Sequence, residues 1–150
     1  MKVGIIMGSD SDFPIMKKAV DVLKEFGVEY EVLLASAHRT PAAVRDFASG
    51  AEERGISVII AGAGMAVIGV PLESGSLKGM DALLAIVQMP SGMPVATMAV
   101  NGAKNAALLA LQIGAVSDPA LAAKYKAYRE DMANQVMEKN KKIQEAVQAL

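Results

Sequence analysis

The run Val3-Gly4-Ile5-Ile6-Met7, followed by Gly8-Ser9-Asp10-Ser11-Asp12 and then Phe13-Pro14, decides the fold. A short, continuous apolar stretch suits a strand buried on both faces of a parallel sheet, not an alternating strand with one wet face. The small polar residues after it make a turn. Beyond Asp12 the apolar positions Met16, Val20, Leu23 and Phe26 recur at helical spacing. Asp12 is a candidate cap for that helix, Pro14 fits its first turn, and Gly27 ends it.

The same punctuation repeats outward. Further strand candidates are Tyr30–Ala35, Val58–Ala61, Val67–Val70 and Val95–Val100. Thr40-Pro41 opens a helix expected to run to about Arg54, with Gly55 after it. Two more helices are expected over Leu77–Leu84 and from about Lys104 to Ile113. Strand and helix alternate, which predicts a three-layer α/β domain around a parallel sheet with right-handed crossovers. The chain of 150 residues is one domain's length, and no linker, repeat or low-complexity segment divides it.

Composition narrows the function. Hydrophobic residues are 53% and charged residues 21%, so disorder is excluded. Fifteen Lys and Arg against sixteen Asp and Glu leave a net charge of −1, without the broad basic surface that general nucleic-acid binding needs. There is no Cys, hence no disulfide, thiolate metal site or cysteine nucleophile. The single His, His38, excludes any mechanism that needs two imidazoles. Gly55–Leu72 carries no charge and approaches the length of a membrane span, but Gly62, Gly64, Gly69 and Pro71 cut it into strand-sized pieces. No targeting segment is recognisable at the start, and a cytoplasmic protein without membrane or nucleic-acid partners is expected.

The C-terminal stretch differs from the rest. Asp118-Pro119 is a helix start, and no Gly or Pro follows before Leu150. Leu121, Tyr125, Tyr128, Met132, Val136, Ile143, Val147 and Leu150 form one apolar stripe. A helix of that extent would be roughly 45 Å long, more than a domain of this size is wide. Residues 118–150 are therefore expected in oligomer contacts, with a frayed end as the other reading.

In a parallel α/β sheet, ligands bind beyond the carboxyl ends of the strands. Three loops there are unusual. Gly8–Asp12 offers backbone N–H groups and two hydroxyls at a helix start, which suits a phosphate or serves only as a cap. Ser36-Ala37-His38-Arg39-Thr40 sets the one His beside an Arg, a proton carrier next to an anion binder, unless the His is structural. Ala61-Gly62-Ala63-Gly64 lacks bulky side chains and would admit a ligand to the backbone, or is simply a turn.

Taken in order, "MGSDSD", "SAHRTP", "VIIAGAG", "VIGVP", "AIVQMP" and "NGAKNAALLA" closely resemble the PurE family, the N5-carboxyaminoimidazole ribonucleotide mutases of bacterial purine biosynthesis. The resemblance runs from Lys2 to about Ala127. It implies a flavodoxin-like domain in a homo-octamer with active sites between subunits. Ser9, Ser11 and Arg39 would hold the substrate's phosphate, Asp12 its ribose hydroxyls, and Ser36 with Gly62, Ala63 and Gly64 would line the pocket around the imidazole. His38 would carry the proton. The resemblance implies no metal, nucleotide cofactor or covalent nucleophile. Relatives that carboxylate aminoimidazole ribonucleotide directly usually have Lys where this chain has Arg39, so the mutase branch fits better.

One departure from the family pattern matters. Between "AGAG" and "VIGVP" the family carries roughly "GAAHLPGMVA" and a few residues more, including its other active-site His, whereas here Met65-Ala66 leads straight from Gly64 to Val67. A parallel crossover ordinarily takes a dozen or more residues. Either Val58–Val70 is rearranged or the molecule carries further residues between Gly64 and Val67, and a non-catalytic oligomeric scaffold is the alternative to the mutase.

Overall fold

The computed structural model describes residues 1–62 and 68–148. Five strands, β1 (Lys2–Met7), β2 (Glu29–Leu34), β3 (Ile56–Ala61), β4 (Ile68–Gly69) and β5 (Ala96–Thr97), form one parallel sheet in the order β2-β1-β3-β4-β5. That order is the flavodoxin-like one. The helices are α1 (Phe13–Phe26), α2 (Pro41–Ser49), α3 (Met80–Val87), α4 (Ala103–Ala115) and α5 (Pro119–Gln148), and a 3-10 turn occupies Asp10–Asp12.

One face of the sheet carries the main core. Val3, Ile5, Val58, Ile60, Ile68 and Val70 pack there against Met16, Leu23 and Phe26 of α1 and against the alanine row of α4, Ala103, Ala106, Ala107 and Ala110. Small side chains let α4 lie close to its neighbours. Gly27, at φ 67°, closes α1 left-handed: its N–H reaches Lys24 O and the Val28 N–H reaches Leu23 O, the paired bonds of a Schellman end. The opposite face is thinner, with Phe47 and Ala51 packed on Ile6, Ile56 and Ala61.

Several boundaries depart from the sequence reading, each for a local reason. Asp12 does not cap α1 with its side chain. Its carboxylate turns back to the Ser9 N–H, and Ser9 caps the 3-10 turn instead. α2 stops at Ser49, not near Arg54, because the Arg54 guanidinium donates to Phe47 O at 2.7 Å and stacks over the Phe47 ring, so residues 50–55 fold back under the helix end. α3 begins at Met80 and not Leu77, since Lys78 and Gly79 sit at φ 49° and 85°, outside helical space. β5 pairs over only two residues of Val95–Val100, and Val67 lies outside the described residues next to an equally short β4. β2 is an edge strand and only half covered, with Val32 and Leu34 exposed. The expectation of strands buried on both faces therefore holds for β1 and not for β2.

α5 begins as expected, its first amides at Ala120 and Leu121 bonded to the Asp118 carboxylate. Leu121 is buried, and Tyr125 and Tyr128 pack on the core, the Tyr128 ring edge-on to Phe26 at 5.4 Å. Past Tyr128 the stripe leaves the domain: Met132, Val136, Ile143 and Val147 are exposed, Val136 at 63%. Leu150 lies outside the described residues.

Candidate active site

Strand register brings the first two loops together. Met7 pairs with Leu34, and the Ala35 N–H bonds to Met7 O at 2.9 Å, so the chain leaves β1 and β2 at one level. Ile6 pairs with Ala61 on the other side, and the Gly62 N–H reaches Ile6 O at 3.0 Å. All three candidate loops thus begin at the carboxyl edge of the sheet, with β1 in the middle.

Between the first and second loops lies a cleft of about 360 Å³, lined by Gly8, Ser9, Asp10, Leu34, Ala35, Ser36, Arg39 and Thr40. Three expected site residues, Ser9, Ser36 and Arg39, line it together. The Arg39 guanidinium reaches across to Gly8 O at 3.4 Å, joining the loops. Ser11 adjoins the cleft through its hydroxyl, 2.8 Å from Ser9 Oγ. Asp12 is held just behind by the Ser9 N–H at 2.9 Å.

The donors are not those the loop's sequence suggests. The Ser9 amide is taken by Asp12, the Ser11 amide by Ser9 Oγ and the Asp10 carboxylate, and the Asp12 amide by Ser9 O. On the first loop Ser9 and Asp10 line the cleft, opposite Arg39 of the second. Ser9 Oγ donates to Asp10 Oδ1 at 3.1 Å, so an anion entering the cleft must displace that carboxylate from the hydroxyl.

His38 does not line the cleft. It stands exposed on the 36–40 turn, one residue before Arg39, and its ring makes no hydrogen bond among the described residues. Gly62 is not in the cleft either. A Cβ there would lie 2.9 Å from Leu72 Cδ1 and 3.6 Å from Met16 Sδ, so its missing side chain answers to packing and not to an open ligand face. Ala63 and Gly64 lie outside the described residues.

Sequence reading missed Asp10 and Thr40 as members of the cleft. Thr40 was legible only as a helix start, because a residue four positions from its partner gives no pattern in the sequence. It also missed a clasp farther along the sheet edge, where Asn101 Oδ1 accepts the Glu73 N–H at 3.0 Å and Asn101 Nδ2 donates to Glu73 Oε2 at 3.2 Å. Asn101 sits at φ 61°, a conformation that Asn tolerates better than most residues. Among the described residues no group of three or more His, Asp or Glu is placed to hold a metal ion, and no helix is long and apolar enough to cross a membrane.

Known proteins match this chain over most of its length. An N5-carboxyaminoimidazole ribonucleotide mutase of Pyrococcus horikoshii is 54% identical over 157 positions, covering 95% of this chain and 89% of its own. The mutase of the same name from Thermotoga maritima is 50% identical, over 96% of this chain and 92% of its own. The crystal structure of Treponema denticola PurE superposes with a TM-score of 0.74 at 31% identity, covering 94% of this chain and 97% of that one. The first alignment has 157 positions against 150 residues here, so the relative carries residues without counterpart in this chain. The AIR carboxylase sequence pattern matches residues 2–135. The chain belongs to the AIR carboxylase family, the PurE family that its loop motifs resemble.

Proposed function

We propose that this protein is an N5-carboxyaminoimidazole ribonucleotide mutase, moving the substrate's carboxyl group from the exocyclic nitrogen to the neighbouring ring carbon. The observation that carries this reading is the convergence of Ser9, Ser36 and Arg39 on one cleft, with the chain's only imidazole one residue from the guanidinium. Relatives of that name at about half identity over nearly the whole chain support it.

In this reading Arg39 and the hydroxyls of Ser9 and Ser11 take the phosphate. The guanidinium supplies a fixed fork of donors, and the hydroxyls reorient from their present partners. Asp12 takes the ribose hydroxyls, and Ser36 borders the base. The N–C bond to the carboxyl group breaks, the nitrogen gains a proton, the released carbon dioxide bonds to the ring carbon, and that carbon loses its proton. The two proton movements are equal and opposite, so one group near neutral pKa serves both. His38 fills that role. The protein works as a cytoplasmic homo-octamer, the exposed stripe of α5 lying between subunits.

A second reading rests on the short link between β3 and β4, which spans only residues 62–67. On that reading the chain is an oligomeric scaffold that binds the ribonucleotide without turning it over.

Purified protein given N5-carboxyaminoimidazole ribonucleotide labelled with carbon-13 in its carboxyl group decides between them. The mutase yields label on the ring carbon, and His38→Asn abolishes that transfer while leaving ribonucleotide affinity nearly unchanged. Undiminished turnover in His38→Asn would refute the role of His38. Binding without any transfer would leave the scaffold.

A further inference from the structure

Thr40 stands immediately before α2, with Pro41 at the helix's first position. Threonine is favoured there because its hydroxyl ordinarily accepts an N–H from the first helical turn. Here it makes no such bond. Thr40 Oγ1 instead accepts the Ser36 N–H at 2.9 Å and donates to Ser36 O at 3.1 Å, while the Thr40 N–H donates to the same carbonyl at 2.7 Å. A residue that forgoes its cap in favour of three bonds to one partner closes the 36–40 turn on itself. Within the turn, Ser36 Oγ accepts the Arg39 N–H at 3.3 Å.

The contents of the turn give the closure its meaning. Arg39 projects to the cleft and is tied to the first loop only through one long bond, to Gly8 O at 3.4 Å. The exposed His38 ring has no bond of its own among the described residues. Among the described residues one long bond holds the Arg39 side chain and none holds the His38 ring, so their relative placement depends mainly on the backbone between Ser36 and Thr40. The Thr40 hydroxyl supplies two of the four bonds that fix that backbone.

We infer that Thr40 is a positioning residue, clamping the 36–40 turn so that His38 and Arg39 meet the same bound ribonucleotide. The inference rests on the mutase reading for what His38 does and on the hydrogen bonds alone for the clamp. Proton transfer needs the imidazole within hydrogen-bond reach of the atoms it serves while the phosphate is anchored by its neighbour. A loosened turn lets the two drift apart, and misplacement on the scale of 1 Å costs on the order of 100-fold in rate.

Three variants test it: Thr40→Val, which keeps the shape and removes both hydroxyl bonds, Thr40→Ala beside it, and Thr40→Ser, which restores the hydroxyl. Two readouts are taken on the full chain: kcat and KM with N5-carboxyaminoimidazole ribonucleotide, and backbone nitrogen-15 relaxation at His38 and Arg39. In the parent protein these two amides should have order parameters near the rigid value of about 0.85, falling towards about 0.6 in the valine and alanine variants. kcat should fall about 10- to 100-fold in both, more than KM rises, and the serine variant should recover most of the loss. The alanine variant keeps the comparison intact if the valine variant fails to fold. Wild-type kcat in either variant, or a serine variant no better than alanine, would overturn the inference, and so would a loosened turn with turnover unchanged. Absence of turnover in the parent protein would sink the mutase reading instead. The order parameters would then decide the clamp by themselves, a parent turn as mobile as the variants' refuting it.

Discussion

Ile60 and Ile68 lie side by side in neighbouring parallel strands, although only residues 61–67 separate them along the chain. Parallel neighbours ordinarily need a dozen or more residues for the crossover and its helix. Cover for β4 on the thinner face of the sheet comes from α3, whose Ile86 approaches so closely that a Cβ on Gly69 would lie 2.6 Å from Ile86 Cγ2 and 3.1 Å from Val95 Cγ1.

That approach makes Gly69 a packing glycine. Gly69→Ala would push α3 and the Val95 segment off the sheet, because a branched Cγ2 set at the helix backbone cannot swing aside. We expect a loss of about 1–3 kcal/mol, the usual range for overpacking, read as a lower denaturant midpoint. An unchanged midpoint would show that the contact is not tight in solution.

Arg39→Lys should weaken ribonucleotide binding about tenfold, since an ammonium cannot reproduce the bidentate fork on a phosphate. Calorimetry with the ribonucleotide and with its dephosphorylated nucleoside checks this. The arginine protein should prefer the nucleotide strongly and the lysine variant less so. Equal affinity of the parent protein for both ligands would remove Arg39, Ser9 and Ser11 from phosphate binding.

The exposed half of α5 should be covered in solution. Exposed stripes of this length are uncommon in soluble monomers. Light scattering on a sizing column should show a stable species well above the 15.6 kDa of one chain at micromolar concentration. Ending the chain after Met132 should weaken that assembly while far-UV circular dichroism still shows the α/β core. An oligomer untouched by the truncation would mark the helix end as a free tail.

Glu31 joins the sheet edge to the chain after α2, with one carboxylate oxygen 2.8 Å from Lys2 Nζ and the other 3.2 Å from Arg54 Nε. The Lys2 hydrogen bond, aided by the charge of Arg54, holds its pKa below the ordinary glutamate value. A carboxylate lowered in the folded state stabilises fully above its unfolded pKa and loses that contribution as pH falls through the folded one. Glu31→Gln should therefore lower the melting temperature at neutral pH and flatten its decline on acidification below the ordinary glutamate range. Parallel pH profiles for the two proteins would show that the cluster contributes nothing to acid sensitivity.

The amino-acid sequence by itself determined the α/β class, the three loops at the carboxyl edge and the long last helix. These rest on local chemistry. Val3–Met7 is apolar without interruption, Gly27 ends α1 by adopting φ 67°, and Asp118-Pro119 starts α5 through a side chain two and three residues from its partners. Signals of that range are written in adjacent residues. The tertiary structure alone decided the rest. The end of α2 depends on Arg54 reaching back to Phe47 O, and the closeness of α3 to the sheet depends on Ile86 meeting Gly69. Gly62, which reads as a ligand-facing glycine, yields its space to Leu72 and Met16. Thr40, which reads as a cap, closes a turn instead. In each case the sequence names the residue but not the partner, because a partner distant in the chain, or one of several equally near, is selected only when packing and register set the distances between side chains.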